Sequence, residues 1–560
     1  MRILLLVSSF NSLSQRAWCR LRAGGHDVAV EFALDEQTMI AAAYLAQPDI
    51  IIGTFLKDRV PAAVWTRWPT VVIHPGPVGD RGPSSLDWAI SDAAPVWGVT
   101  ALQAVEEMDA GPIWAARTFR LPDDPARKSA LYGGLVADAA MECLDEVIVK
   151  AQRRGFRPVE LEAAPRAVPS ATLRPPMRQA DRAFGWDEPG ASILRRIRAA
   201  DGSPGVRTIL DGRVVHIFDA DLAQRPVSGR PGTIVGRDDE AVLVATGDRS
   251  GLWIGRAKQV AADGTTGIKL PAVHILRNTT AGVPWLRDRA RIRYLRHDQH
   301  VGELMFAPYN GALDVAWSRR LAGALRRALA QDTRVLVLRG GFDTWCNGID
   351  LNAIEASDDP AMAAWASIRA INAVCRLIAQ HTGQVIVAGL SGNAGAGGVM
   401  MPLGADLVAA RCGVILNPFY ADMGLFGSEL HTRTLTRRVG ADTAHRLLTG
   451  RLPIDADQAA AIGLVDQVGP RGEEHYRDWL LDLAREQAQE RRWRRTLQGK
   501  RDAAAVEPRP LAYWEQLELA EMARDMFDDR QQFDERRRSF VQKRRPDRTP
   551  PQLATHRAAR

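Results

Sequence analysis

Val71-Val72-Ile73-His74-Pro75-Gly76-Pro77-Val78-Gly79-Asp80-Arg81-Gly82-Pro83-Ser84-Ser85-Leu86-Asp87-Trp88-Ala89-Ile90 reads as a short apolar strand, a Gly/Pro-rich loop and the start of a helix, with a histidine at the strand end. Upstream, the apolar runs 3–7, 28–32 and 50–52 are strand candidates, and the periodic stretches 14–23 and 36–46 between them are helix candidates. Strands alternating with helices predict βαβ units and a parallel sheet, whose ligands lie beyond the carboxyl ends of the strands. His74 follows such an end. Further on, Trp97-Gly98-Val99-Thr100 opens another strand, and Met108-Asp109-Ala110-Gly111-Pro112-Ile113 is a turn carrying Asp109.

A chain of 560 residues is too long for one core, so two or three domains are expected. Residues 155–180 are rich in Pro, Ala and Arg and read as a linker. Beyond it come a helix over 191–199 and short β-like pieces at 214–218, 232–235, 241–245 and 251–254, which predict a small β-barrel or curled sheet. After Gly282 the strands 302–306, 335–338 and 384–388 are set between long helices, so a second α/β layer is expected. The reading is therefore α/β, divided into 1–165, 166–285 and 286–545, with 546–560 as a disordered tail.

Composition excludes several classes. The five cysteines form no CxxC pair, which speaks against a zinc site or a disulfide framework and for a reducing cytoplasm; no metal is expected. No stretch is read as reaching the ~18 to 20 apolar residues of a membrane span. The first apolar run is cut off by Ser8 and Ser9, so it reads as a buried strand and not as a signal peptide. The net charge of +7, from 73 basic and 66 acidic residues, suits small polyanionic ligands, and no aromatic and basic platform for nucleic acid is evident. From charge alone the dense basic segment 536–548 is a solvated helix end or tail.

His74, Arg81-Gly82 and Asp109-Ala110-Gly111-Pro112-Ile113 resemble the NxHxSLLPxxRG and DTGPI signatures of formyltransferases that use N10-formyltetrahydrofolate. The resemblance implies a Rossmann-like N-terminal domain in which His74 polarises a tetrahedral oxyanion and Asp109 orients His74 or relays a proton. The family's asparagine two residues before the histidine is Val72 here, a departure that fits a thiol acceptor in place of the usual amine. Ala183-Phe184-Gly185-Trp186-Asp187 and the helix after it resemble the accessory (OB-like) domain of methionyl-tRNA formyltransferase.

Farther along, Cys346-Asn347-Gly348-Ile349-Asp350-Leu351 and Gly392-Asn393-Ala394-Gly395-Ala396-Gly397-Gly398 each follow an apolar strand. The pair resembles the crotonase (enoyl-CoA hydratase/isomerase) family, in which each turn gives one backbone N–H to a thioester oxygen. The implied donors are Asn347 and Gly397. Phe540-Val541-Gln542-Lys543-Arg544 resembles the family's terminal FxxKR segment, which implies that Phe540 and Lys543 contact the adenosine part of coenzyme A. The two hydratase glutamates are replaced by Met400 and Tyr420, so water addition is not expected, whereas Glu429 follows in the same stretch.

The two halves in this order resemble a family of [NiFe] hydrogenase maturation factors. That resemblance implies formyl transfer from N10-formyltetrahydrofolate to coenzyme A, then cleavage of formyl-CoA to carbon monoxide, with Tyr420 and Glu429 sharing the acid and base roles in an order left open. It also implies small-molecule substrates and a maturation partner such as the hydrogenase large subunit. A tRNA or small-molecule formyltransferase with a CoA-binding appendage, or a non-catalytic scaffold, are the alternatives.

Overall fold

The computed structural model describes residues 1–124 and 126–558, in two compact units: Met1–Arg289 with Pro546–Arg560, and Ala290–Arg545. In the first unit, β1 (Arg2–Val7), β2 (Asp27–Phe32), β3 (Ile50–Gly53), β4 (Thr70–His74), β5 (Val96–Gln103) and β6 (Ile113–Arg120) form one sheet in the order β2-β1-β3-β4-β5-β6. Leu4, Leu5 and Leu6 are buried on both faces, as a strand covered by helices on either side requires. Asn11 and Asp35 cap the helices Ser12–Ala23 and Glu36–Ala46 by accepting the Ser14 and Thr38 N–H groups. The first four strands read from the sequence, β1 to β4, are parallel as expected, and β5 and β6 extend the sheet antiparallel, which sets Thr100 opposite His74.

The segment read as a linker is not loose. Leu173 bridges Arg81, with Arg81 N donating to Thr172 O and Arg174 N to Arg81 O, so this Pro-rich stretch braces the loop after β4. A six-stranded antiparallel sheet follows, whose longest strands are Arg213–Leu222 and Leu252–Gln259. The helix Gly190–Ala200 buries Ile193, Leu194 and Ile197 against Val215, Ile217 and Ile254.

Residues 546–558 correct the expectation of a disordered tail. Leu553 O accepts from Val30 N at 2.9 Å and Thr549 Oγ1 from Phe32 N at 2.8 Å, covering two outward N–H groups of the edge strand β2. Glu31 is buried there and hydrogen-bonds with Thr549, His556 and Arg557. Burial alone would raise its pKa, but those three hydrogen bonds outweigh it and lower it. Truncation at Arg545 is expected to lower the melting temperature of the first unit, by roughly 2–4 °C for each kcal/mol of lost contact. Differential scanning calorimetry of the full and truncated chains checks this.

In the second unit the main sheet runs (Ile292–Arg296)-(Val301–Phe306)-(Val335–Arg339)-(Val385–Leu390)-(Leu407–Arg411)-(Gln467–Gly469), parallel after its first hairpin. A smaller sheet joins Thr344–Cys346, Asn393–Gly395, Ile415–Asn417 and Ile454–Asp455 side by side. That pairing brings the two Gly-rich turns together and sets Asn417, just before Tyr420, beside Gly395. The helix Pro360–Gln380 is long and apolar enough to cross a membrane, which corrects the expectation that no stretch qualifies. Its buried residues, including Ile368, Ile371, Val374 and Ile378, belong to the core of this unit.

Candidate active sites

β4 ends at His74, which is only 5% exposed. Its ring is held by a partner that the sequence reading did not single out: Asp80 Oδ2 lies 2.8 Å from His74 Nε2. Asp109 Oδ1 is 3.6 Å from Nδ1, beyond a direct hydrogen bond, while its other oxygen accepts from Gly82 N at 3.1 Å. Asp109 thus ties the Arg81-Gly82 turn to the histidine without gripping the ring. The spacing HPGPVGD was the available signal for Asp80, because a loop of this length can turn a carboxylate back on its own start.

The loop is fixed by several bonds. Ser85 Oγ and Trp97 Nε1 donate to Pro75 O, and Thr100 Oγ1 donates to Gly76 O. A Cβ at Gly76 would stand 2.1 Å from Asp80 Oδ2 and 2.5 Å from His74 Nε2, so the loop passes over the pair at a distance only glycine allows. Burial disfavours protonated His74, but the Asp80 hydrogen bond and the charges of Asp109 and Asp80 outweigh it and raise the pKa. A cleft beside the pair is lined by Val60, Val72, Leu102, Val105, Met108 and Asp109, so position 72 presents a methyl surface to it.

In the second unit Tyr420 and Glu429 meet. The Tyr420 hydroxyl donates to Glu429 Oε2 at 2.6 Å, and both side chains are buried. A Cβ added to Gly397 would stand 2.1 Å from Glu429 Oε1, so the carboxylate lies against the second Gly-rich turn. Gly397 begins a helical turn, where its N–H has no intrahelical acceptor. The other expected donor is corrected: Asn347 N donates to Gly311 O at 2.7 Å, and Asn347 Nδ2 to Asn310 O. The next N–H, at Gly348, lies 3.3 Å from the Cys346 sulfur, and a Cβ on Gly348 would be 3.3 Å from Gly397 N. Gly348 and Gly397 are therefore the adjacent pair.

Burial pushes the Glu429 pKa up to about 7; the Tyr420 bond opposes this and the charge of Glu518 adds to it. Burial drives the Tyr420 hydroxyl well above its usual range and the Cys346 thiol up to about 12, so neither is an anion near neutral pH. Met400 is buried in the turn after Gly397. The helix Phe533–Val541 packs on the turn carrying Tyr420, where Arg536 donates to Asp422 O at 3.0 Å; it leaves Phe540 exposed and ends just before Lys543.

These two sites define a formyltransferase-type domain joined to a crotonase-type domain. The formyl transferase C-terminal domain model matches residues 176–264, and the enoyl-CoA hydratase/isomerase model matches residues 305–549. The chain is 39% identical over 566 residues to the hydrogenase maturation factor HoxX of Bradyrhizobium diazoefficiens, covering 100% of this chain and 98% of that one. The crystal structure of HypX from Aquifex aeolicus in complex with tetrahydrofolic acid matches at a TM-score of 0.94 and 35% identity, over 100% of this chain and 99% of that one. Methionyl-tRNA formyltransferase of Paraburkholderia phymatum is 28% identical over 233 residues, covering 41% of this chain and 62% of its own. The chain belongs to the HypX/HoxX family of hydrogenase maturation factors.

Proposed function

We propose that the protein makes carbon monoxide for the [NiFe] hydrogenase active site in two steps, formyl transfer from N10-formyltetrahydrofolate to coenzyme A and decarbonylation of the resulting formyl-CoA. Folate use is supported by the Aquifex relative's complex with tetrahydrofolic acid, and coenzyme A by the crotonase-type fold and the match to its family model. In the first step the coenzyme thiolate attacks the formyl carbon, and His74, charged with the help of Asp80, stabilises the oxyanion. Collapse breaks the carbon–nitrogen bond, and a proton passes to the folate nitrogen with Asp109 at hand to relay it. Val72 suits this acceptor, since a thiolate needs no amide to orient it.

In the second step the Gly397 and Gly348 N–H groups hold the formyl oxygen, each worth ~2.7 to 4 kcal/mol by analogy with other oxyanion holes. Glu429 takes the formyl proton. The C–H electron pair stays with carbon as carbon monoxide forms, the C–S pair leaves with sulfur, and Glu429 returns the proton to that sulfur. No oxidant, reductant or water is consumed. Tyr420, held protonated by burial, keeps the carboxylate in line. Phe540 and Lys543 are the contacts for the adenosine end of the coenzyme.

The observation that carries this reading is the buried Tyr420–Glu429 pair set against Gly397, with Met400 and Tyr420 at the positions where the resemblance puts the two glutamates of a hydratase. Purified protein given N10-formyltetrahydrofolate and coenzyme A should release carbon monoxide that a ferrous haem protein captures, in amounts matching the tetrahydrofolate formed. Tetrahydrofolate and formate without the gas would overturn it.

A further inference from the structure

Glu429 stands in a strained turn. Glu429 and Leu430 both have φ of 64°, the left-handed region, which a non-glycine residue keeps only where its surroundings hold it there. The restraint comes largely from one face of the helix Leu511–Phe527, where residues 518, 522 and 525 line up. Asp525 Oδ2 accepts from Phe426 N at 2.7 Å, and Met522 S from Gly427 N at 3.2 Å. Glu518 Oε2 accepts from Leu430 N at 2.8 Å, and its Oε1 accepts from Thr432 N and Thr432 Oγ1, both at 2.7 Å. From the other side Asn372 Oδ1 takes the Glu429 N–H at 3.0 Å and the Ser428 hydroxyl at 2.9 Å.

Leu430 is the N-cap of the helix His431–Val439 and has no polar side chain to cap it. Glu518 does so from another helix, with the charge sign that a helix N-terminus favours. We propose that Glu518 is a positioning residue of the decarbonylation site: its carboxylate holds the left-handed turn that aims Glu429 at Gly397. This rests on the reading of Glu429 as the proton-transferring group.

The groups facing the pair are few. Tyr420 and the Cys346 and Cys375 thiols are neutral, and His431 donates to Ser428 O with its pKa lowered to about 4 by burial. Glu515 is paired with Arg376 and Asp525 with Arg530. Burial raises Glu518 itself to about 7, against the hydrogen bonds from Thr432 and Leu430, so it becomes an anion as pH rises through neutrality and its charge then acts on Glu429.

The test compares wild type, Glu429→Gln and Glu518→Gln on supplied formyl-CoA. Glu518→Gln should lower kcat about 10- to 100-fold, the scale of an ångström-sized misplacement, with KM within about twofold. Loss of the neighbouring charge should also move the Glu429 limb of the kcat–pH profile to lower pH, in the same direction whether Glu429 acts as base or acid. A merely structural role would reduce the amount of folded enzyme and leave that limb in place. If Glu518→Gln does not fold, Thr432→Val removes one donor with little change in volume and should lower kcat about threefold at constant KM. Wild-type kcat and an unmoved limb in Glu518→Gln, or wild-type kcat in Thr432→Val, overturn the positioning role while Glu429→Gln is inactive. An active Glu429→Gln overturns the functional reading, and the positioning role with it.

Discussion

Glu429→Gln is expected to accumulate formyl-CoA and release no carbon monoxide. The amide keeps the size of the side chain and can still meet the Tyr420 hydroxyl, but it neither takes the formyl proton nor returns one to sulfur. A loss of about 10³ or more in decarbonylation is expected, at the upper part of what one acid–base group contributes. Stability should change in the opposite sense. The Glu429 carboxyl is raised from 4.5 to about 7 by burial, so the folded state holds its proton longer than the unfolded chain does. That stabilisation is complete below pH 4.5 and is lost as pH rises through about 7. The variant escapes the loss and should melt above wild type at pH 8, although the two differ less at pH 5. Calorimetry at both pH values with a coupled haem assay reads both effects, and a variant that still evolves gas removes Glu429 from the mechanism.

His74→Ala should lose formyl-CoA formation by about 10²- to 10³-fold, the scale of one oxyanion-stabilising donor. The same variant should decarbonylate supplied formyl-CoA at the wild-type rate, because His74 belongs to the other unit. Asp80→Asn is the finer probe. The charge and hydrogen bond of Asp80 raise the His74 pKa against burial, so their removal lowers it, and the alkaline limb of formyl transfer should move to lower pH. A profile unchanged in Asp80→Asn would show that protonated His74 does not govern the rate.

The resemblance to two enzyme families was legible because each depends on a local device. His74 at a strand end, the Asp109 turn and the two Gly-rich turns are each written within a dozen residues, and the chain places them where βαβ logic puts ligands. The departures were legible too: Val72 lines the cleft beside Asp109, and Met400 is buried next to Gly397. Asp80 was missed although it lies in the quoted loop, since the angle at which a Gly/Pro loop returns depends on the Ser85, Trp97 and Thr100 bonds across it. By analogy of position Asn347 is the expected donor. Pairing with Gly311 O, from a segment far away in sequence, uses its N–H and leaves Gly348 instead.

The tail and the linker failed as expectations for a shared reason. Proline, arginine and charge density signal that a segment forms no helix or strand of its own, but they are silent on whether another surface needs it. The open edge of β2 has N–H groups to satisfy and residues 549–553 satisfy two of them; the loop after β4 likewise takes up residues 172–174. Such partners are set by long-range closure, for which local composition carries no information.

By itself the sequence determined the α/β layers and the order of the two domains, because strand periodicity and glycine turns are local properties of the chain, and its resemblance to two families singled out the candidate histidine, tyrosine and glutamate. The tertiary structure alone decided which atoms meet: Asp80 on His74, Tyr420 on Glu429, Gly348 beside Gly397, and Glu518 beneath the strained turn. Those contacts join residues from different elements, and burial then sets their charge, raising Glu429 to about 7 in surroundings that no single stretch of sequence describes.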